Sequence, residues 1–374
     1  MDSNQLEFIR ILSDYINNVQ ADYKITPAIL EYAKTQELEG IVYRQTKVSA
    51  LQSKYAFTIY LYQNRLSIIR ELVNELKGIP YFFVKGQVLS AYYPEPSLRT
   101  MGDIDIVVQK KDLDKVKSAF IRQGFEIFDN ESDTLIGFKH DFEFEIHTSL
   151  IDGALGNEKA TEYFSHCWDR VEDNKLDKNY HFLFVIQHMK GHMAGKSVGF
   201  RQFMDVAFFA QDHELDWKWI RNELAQIDML EFTKKIFAFI ERCFNVKSPF
   251  ETDTIDDYFF EQAINQIYRG GVFGLDDETL YHMPVTKQAI FDGDDLKTAQ
   301  CRYLVKQLFP DYKTMSTLYY CSYVKKSRVL LPIAWMHRFL FRIFDREHRS
   351  DFLARAVMRD EHRDRLEYLK KWGL

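Results

Sequence analysis

Apolar residues in the first 78 positions recur at a helical interval. Leu6, Ile9, Leu12, Tyr15 and Ile16 share one face of a helix over residues 4–20. Pro27 opens a second helix, because its fixed φ and missing N–H suit a first turn. Residues 50–77 read as one long helix, ended by Gly78 with Pro80 just beyond. The pattern changes at Tyr81. YFFV (81–84) is a short β run that ends at Gly86, and QVLSAYY resumes a helical interval until Pro94 and Pro96 break it. DIDIVV (103–108) is a strand, and KKDLDKVKSAFIRQGF is a helix with Asp112 as N-cap and Gly124 as C-cap. FEIF, TLIGF and FEFEIHTSL are further strands, with a turn at Asp129-Asn130. Beyond residue 155 the chain is again helical, near 180–193, 200–211, 217–226, 229–243, 256–268, 297–308 and 328–371. Residues 269–295 carry GG, DD and GDD and read as irregular.

The expected fold class is therefore α+β. A small mixed β-sheet core (79–152) is flanked by an N-terminal helical region (1–78) and a large C-terminal helical region (153–374).

Composition agrees. With 374 residues, 46% of them hydrophobic and 15% aromatic, the chain has material for more than one core. Sixteen Gly and eight Pro argue against a turn-rich all-β fold. A net charge of -6 makes nucleic acid an unexpected partner. Cys167, Cys243, Cys301 and Cys321 are too far apart in sequence for a zinc knuckle or a redox pair. The opening MDSNQLEFIRILSDYI lacks a secretory pattern. VLLPIAWMHRFLFRIF is too short and too charged to span a bilayer. These features predict a cytoplasmic protein with reduced thiols. The tail from His337 carries ten Lys/Arg against seven Asp/Glu among apolar residues, which reads as an amphipathic helix docked on the body or touching a polyanion.

Asp103 and Asp105 change the picture from fold to chemistry. Residues i and i+2 of a strand share a face, so both acids project together from an otherwise apolar segment. Like charges that close repel unless a cation joins them. Mg²⁺ suits the task, since it takes oxygen ligands and keeps places for water and substrate phosphate. The alternative is structural: one acid caps a turn and the other pairs with Arg99 or a lysine. FEFEIHT places Glu143, Glu145 and His147 on one face, and alternation cannot say which acid joins the pair. On its own it also fits an amphipathic edge strand. Ahead of the pair, Gly86 ends a strand where a helix begins, and free N–H groups there favour phosphate. Lys85 and Arg99 add positive charge.

The order strand–Gly–helix, D-x-D and a later acid resembles the nucleotidyltransferase superfamily related to DNA polymerase β. More narrowly, KGQVLSAYYPEPSLRTMGDIDIVV followed by FEIH resembles a bacterial group of uncharacterised nucleotidyltransferases, as do HMKGH (188–192) and LLP (330–332). The close likeness covers about residues 80–150 and extends loosely to about 340. It implies that Gly86 holds a phosphate-facing turn, with Lys85, Gln87 and Arg99 beside it. It implies Asp103 and Asp105 as the metal pair and Glu145 as the third carboxylate. The superfamily has Gly-Ser at the turn, where this chain has Gly86-Gln87, so Gln87 or backbone N–H groups stand in for the hydroxyl.

The implied activity is transfer of an NMP from an NTP such as ATP to a hydroxyl or phosphate acceptor on a small molecule, saccharide or protein. The implied cofactor is Mg²⁺, with Mn²⁺ as the alternative, acting as two ions ~4 Å apart. The competing expectation is an inactive nucleotide-sensing or partner-binding module of the same fold. His147, His188, His192, Arg201 and Asp205 are further candidates for the cleft. His188 and His192 have a spacing that can bind zinc but lack a third ligand, and Arg201 and Asp205 also fit a helix-surface ion pair.

Overall fold

The periodic stretches of the first 78 residues become four helices in a computed structural model of the chain. All residues are described except 130–133, 152–157, 196, 253, 273–284, 286–288, 290–294 and 345–359. Helix α1 (Ser3–Ile16) starts at Asp2, whose carboxylate accepts from the Asn4 and Gln5 N–H groups. Thr26 caps α2 (Pro27–Thr35), with Pro27 at the first turn as its sequence predicts. α3 (Glu39–Thr46) and the long α4 (Gln52–Glu75) follow.

The sheet is built from β1 (Tyr81–Phe83), a single turn α5 (Gly86–Leu89), β2 (Asp103–Val108), α6 (Leu113–Arg122), β3 (Glu126–Asp129), β4 (Leu135–Lys139) and β5 (Phe142–His147). Its order is β1-β2-β5-β4-β3. β2 and β5 run parallel; the other pairs are antiparallel. The fold is thus α+β with a small mixed sheet. β5 lies between β2 and β4, so the edge-strand reading of FEFEIHT does not hold.

Strand alternation divides the sheet into two chemical faces. Ile104, Ile106, Val108, Phe144 and Ile146 point to one side, where they pack with Ile68, Ile69 and Leu72 of α4 and Val116, Ala119 and Phe120 of α6. Burial of these apolar residues fixes the register, because a slip of one residue would turn them to the opposite face. The acids are left on the other side. Two local expectations differ. Asp112 precedes α6 but makes no cap bond; its carboxylate accepts from Lys115 Nζ at 2.8 Å. The expected turn at Asp129-Asn130 runs into residues outside those described.

The chain continues through α7 (Glu158–Ser165), the hairpin of β6 (Val171–Glu172) and β7 (Lys175–Leu176), α8 (Lys178–Gly195), α9 (Phe200–Phe209), α10 (Trp217–Gln226), α11 (Leu230–Phe244) and α12 (Asp257–Gly270). α7 and the two-residue strands are too short to carry a periodic signal. Phe8 of α1 packs against Phe200 of α9 and Tyr268 of α12, with ring centroids 5.9 and 6.1 Å away. Helices from both ends of this segment thus share one aromatic core.

The chain divides into two compact units. One holds Met1–Met193, Ser197–Gly274 and Gly373; the other holds Ala194–Lys196, Leu275–Trp372 and Leu374. The second contains α13 (Leu296–Leu308), α14 (Tyr312–Thr317), α15 (Leu331–Phe344) and α16 (Asp360–Lys371). The helix expected over 328–371 is therefore seen as two pieces, with 345–359 outside the described residues, as is most of the irregular stretch 269–295. Among the described residues no helix is long and apolar enough to cross a membrane.

Candidate active site

Parallel pairing of β2 and β5 sets Asp103 opposite Glu143, Asp105 opposite Glu145 and Val107 opposite His147. Both glutamates therefore share the face of the aspartate pair. Closer contacts separate them. Ligand atoms of Asp105, Glu145 and His147 all lie within 4.8 Å of one another. His147 Nε2 lies 3.0 Å from Asp105 Oδ1 and 3.2 Å from Glu145 Oε2. Asp103 and Glu143 stand outside that group of three and couple to it by charge.

Electrostatics distinguish the members. Burial raises the pKa of Asp103, and repulsion from Asp105 and Glu145 adds to the rise. Burial also works against the Asp105 carboxylate, yet Lys85 and His147 bring its pKa below the usual value. The bond from His147 lowers that of Glu145. Burial opposes the His147 imidazolium, but its two carboxylate partners prevail and raise its pKa to about 9. The ring is protonated at neutral pH and bridges two carboxylates.

Lys85 completes the group from the turn after β1. Its Nζ donates to Asp105 Oδ1 at 2.6 Å. Its backbone is at φ 51° and ψ -129°, a conformation that favours glycine. The Lys85 N–H donates to Nε2 of the buried His181 at 3.2 Å. Burial lowers the pKa of His181 to about 4, so the ring is neutral and free to accept. The helix that follows is one turn long, shorter than the phosphate-favouring helix the sequence suggests.

Gly86 is required by a neighbour. A Cβ there would lie 2.3 Å from Arg99 Nη1 and 3.3 Å from Met101 Cβ. Arg99 is buried and its fork is engaged: Nε and Nη2 donate to the two carboxylate oxygens of Asp205 at 3.1 and 2.7 Å. Tyr93 Oη donates to the same carboxylate at 2.8 Å. Arg201 donates to Glu37 at 3.1 Å and to the Thr100 carbonyl and hydroxyl oxygens, each at 3.0 Å. Arg201 and Asp205 are thus not a surface pair of α9; both are buried and bind residues from elsewhere in the chain. Gln87 is partly buried, and its Oε1 has no hydrogen-bond partner.

His188 and His192 lie one turn apart on α8, with Nε2 atoms 3.0 Å apart. Burial pushes the His188 pKa well down, helped by the positive charges of Lys85, His192 and His147. The pair thus feels the cations of the acid group. It is not among the clusters of three ligating side chains found in the described residues.

The donor set fits a divalent cation. Two carboxylates converge with His147, whose ring would ligate only after giving up its proton, and a third carboxylate, Asp103, lies on the same face. Carboxylates suit Mg²⁺ and Mn²⁺, and an imidazole among them is more at ease with the softer Mn²⁺. In the metal-free arrangement, Lys85 and His147 supply the positive charge that Asp105 needs.

His181 and Glu37 carry no sequence motif and are recognised by their contacts alone, while Tyr93 and Thr100 lie inside KGQVLSAYYPEPSLRTMGDIDIVV with nothing local to mark their partners. Arg65 did leave a signal: it falls on the buried stripe of α4, with Thr58, Ile68, Ile69 and Leu72.

No curated protein and no solved structure matches the chain. A family model does, over residues 20–245, which is more than half of the sequence and includes the whole sheet with Lys85, Asp103, Asp105, Glu145 and His147. The chain belongs to the family described as uncharacterised nucleotidyltransferases.

Proposed function

We propose that the protein transfers a nucleoside monophosphate from an NTP to a hydroxyl or phosphate acceptor, with Asp103, Asp105 and Glu145 holding divalent metal. The observation that carries this reading is the convergence of Asp105, Glu145 and His147, with Asp103 beside them, in a chain of nucleotidyltransferase descent. The acceptor oxygen forms a bond to the α-phosphorus. The bond from that phosphorus to the β-phosphate bridging oxygen breaks, and pyrophosphate leaves. The acceptor proton passes to Glu145, which is kept ionised by His147. Divalent ions, when bound at the three carboxylates, supply charge neutralisation for the phosphate oxygens. Lys85 adds a positive charge beside the same oxygens, and its strained backbone supports a positioning role.

A second reading rests on one contact. Lys85 Nζ lies on Asp105 Oδ1, where a metal ion would bind, which favours a metal-free module that senses nucleotide without turning it over. A thermal-shift screen of the four NTPs with and without Mg²⁺ or Mn²⁺ separates the two, followed by a pyrophosphate-release assay with the NTP that binds. Metal-dependent stabilisation and pyrophosphate release, both lost in Asp103→Asn, are expected. Metal-independent binding without product overturns the transferase reading.

A further inference from the structure

Arg65, Arg99 and Arg201 are all buried, and two of them have carboxylate partners. Arg99 has Asp205 and Arg201 has Glu37. Arg65 is 5% exposed, and its Nε and Nη2 make no hydrogen bond. Among the described residues it forms no ion pair. The Tyr62 ring stands 5.2 Å from its guanidinium, and the charge of Arg99 acts on it repulsively. A buried guanidinium without a counter-charge is strongly unfavourable. The position also interrupts the apolar stripe of α4, where leucine or methionine would pack without that cost. The Nε of Arg201 is orphaned as well, as is Oε1 of Gln87 on the adjoining turn.

We infer that Arg65 is the inner residue of an anion site for a phosphate group, which supplies the counter-charge its fold withholds. Guanidinium matches phosphate in a planar, two-pronged geometry. The site lies toward the acid group: α4, which carries Arg65, contacts the Pro96–Leu98 turn that leads into Arg99, Arg99 packs on Gly86, and Gly86 follows Lys85, which binds Asp105. The source of the phosphate, NTP or phosphorylated acceptor, rests on the transferase reading; the site itself does not.

The test uses inorganic tripolyphosphate and orthophosphate without metal, on the full chain and on Arg65→Met. Tripolyphosphate should stabilise the wild type, and Arg65→Met should weaken its binding by about tenfold or more. Without anion, Arg65→Met should melt at or above the wild-type temperature, since it removes an unpaired buried charge. Preference for tripolyphosphate over orthophosphate supports the NTP as the source, and equal binding supports a phosphorylated acceptor. Equal tripolyphosphate affinity of both proteins, or no anion binding by the wild type, overturns the site. If Arg65→Met does not fold, hydrogen exchange of wild-type α4 decides: tripolyphosphate should slow exchange around residue 65, and an unchanged pattern overturns the inference. Asp103→Asn separates the two proposals, because it should lose turnover and keep tripolyphosphate binding.

Discussion

Lys85 Nζ sits 2.6 Å from Asp105 Oδ1, with Asp105 only 2% exposed, so the ammonium is the principal counter-charge of a buried carboxylate. Removing one member of such a pair strands the other, at a cost of about 3 kcal/mol or more. Lys85→Met is therefore expected to lower the metal-free unfolding free energy by about that amount. Added Mn²⁺ should restore more stability to the variant than it adds to the wild type, because the metal meets no lysine on Asp105. Urea melts with and without Mn²⁺ measure both effects; identical metal responses would remove Lys85 from the metal-facing side of the site.

The Lys85 backbone gives an independent prediction. At φ 51° and ψ -129° a side chain is strained by about 1 kcal/mol or more, and glycine is not. Lys85→Gly and Lys85→Ala lose the same ammonium. Lys85→Gly should nonetheless be the more stable by about 1 kcal/mol. Equal melts would mean that the turn relaxes when the lysine is lost.

His147 links stability to pH. Its folded pKa is about 9, raised from an ordinary value near 6.5. The imidazolium therefore contributes stability that is fully present below about pH 6.5. That contribution is lost as pH rises through about 9. In metal-free buffer, wild-type stability should fall across this window, by about 3 kcal/mol. His147→Gln should be flatter there. Parallel profiles for the two proteins would show that the bridge does not stabilise the fold.

Asp103 should behave in the opposite sense to Lys85. Its pKa is raised by burial and then by Asp105 and Glu145, so its charge opposes folding at neutral pH. Asp103→Asn should leave metal-free stability unchanged or raise it by up to about 1 kcal/mol. The same change should reduce pyrophosphate release by about a hundredfold or more, since a metal carboxylate is lost. A large destabilisation would identify Asp103 as a structural residue.

The acid strand and its partner were legible in the sequence because their periodicity is strict. DIDI (103–106) and FEFEIH each alternate, and alternation alone assigns Asp103, Asp105, Glu145 and His147 to faces. The choice between Glu143 and Glu145 was not legible from alternation. The parallel register sets both glutamates opposite an aspartate, and only the contacts of His147 with Asp105 and Glu145 single out Glu145. Arg201 and Asp205 show the same limit in reverse. Their spacing suggests a pair on one helix, whereas each finds a better partner in a distant segment, Glu37 and Arg99. Gly86 was legible as a turn, but its role in admitting the Arg99 guanidinium lies in packing that no local pattern records.

That packing supplies a last prediction. In Gly86→Ala the new methyl would lie 2.3 Å from Arg99 Nη1. An arginine end is ordinarily free to swing away. Here both prongs are held by Asp205, and Nη1 also donates to the Thr100 carbonyl at 3.2 Å. Relief of the clash must therefore break part of a buried bidentate pair, and Gly86→Ala should cost about 2–4 kcal/mol. Asp205→Asn alone should cost about 3 kcal/mol or more, by weakening the same pair. Because both changes act through Arg99, their costs should not add: in the double variant the second substitution should cost about 1 kcal/mol or more less than it does alone. Strict additivity in urea melts would show that Arg99 yields to the methyl without leaving Asp205, and that Gly86 serves the turn by some other route.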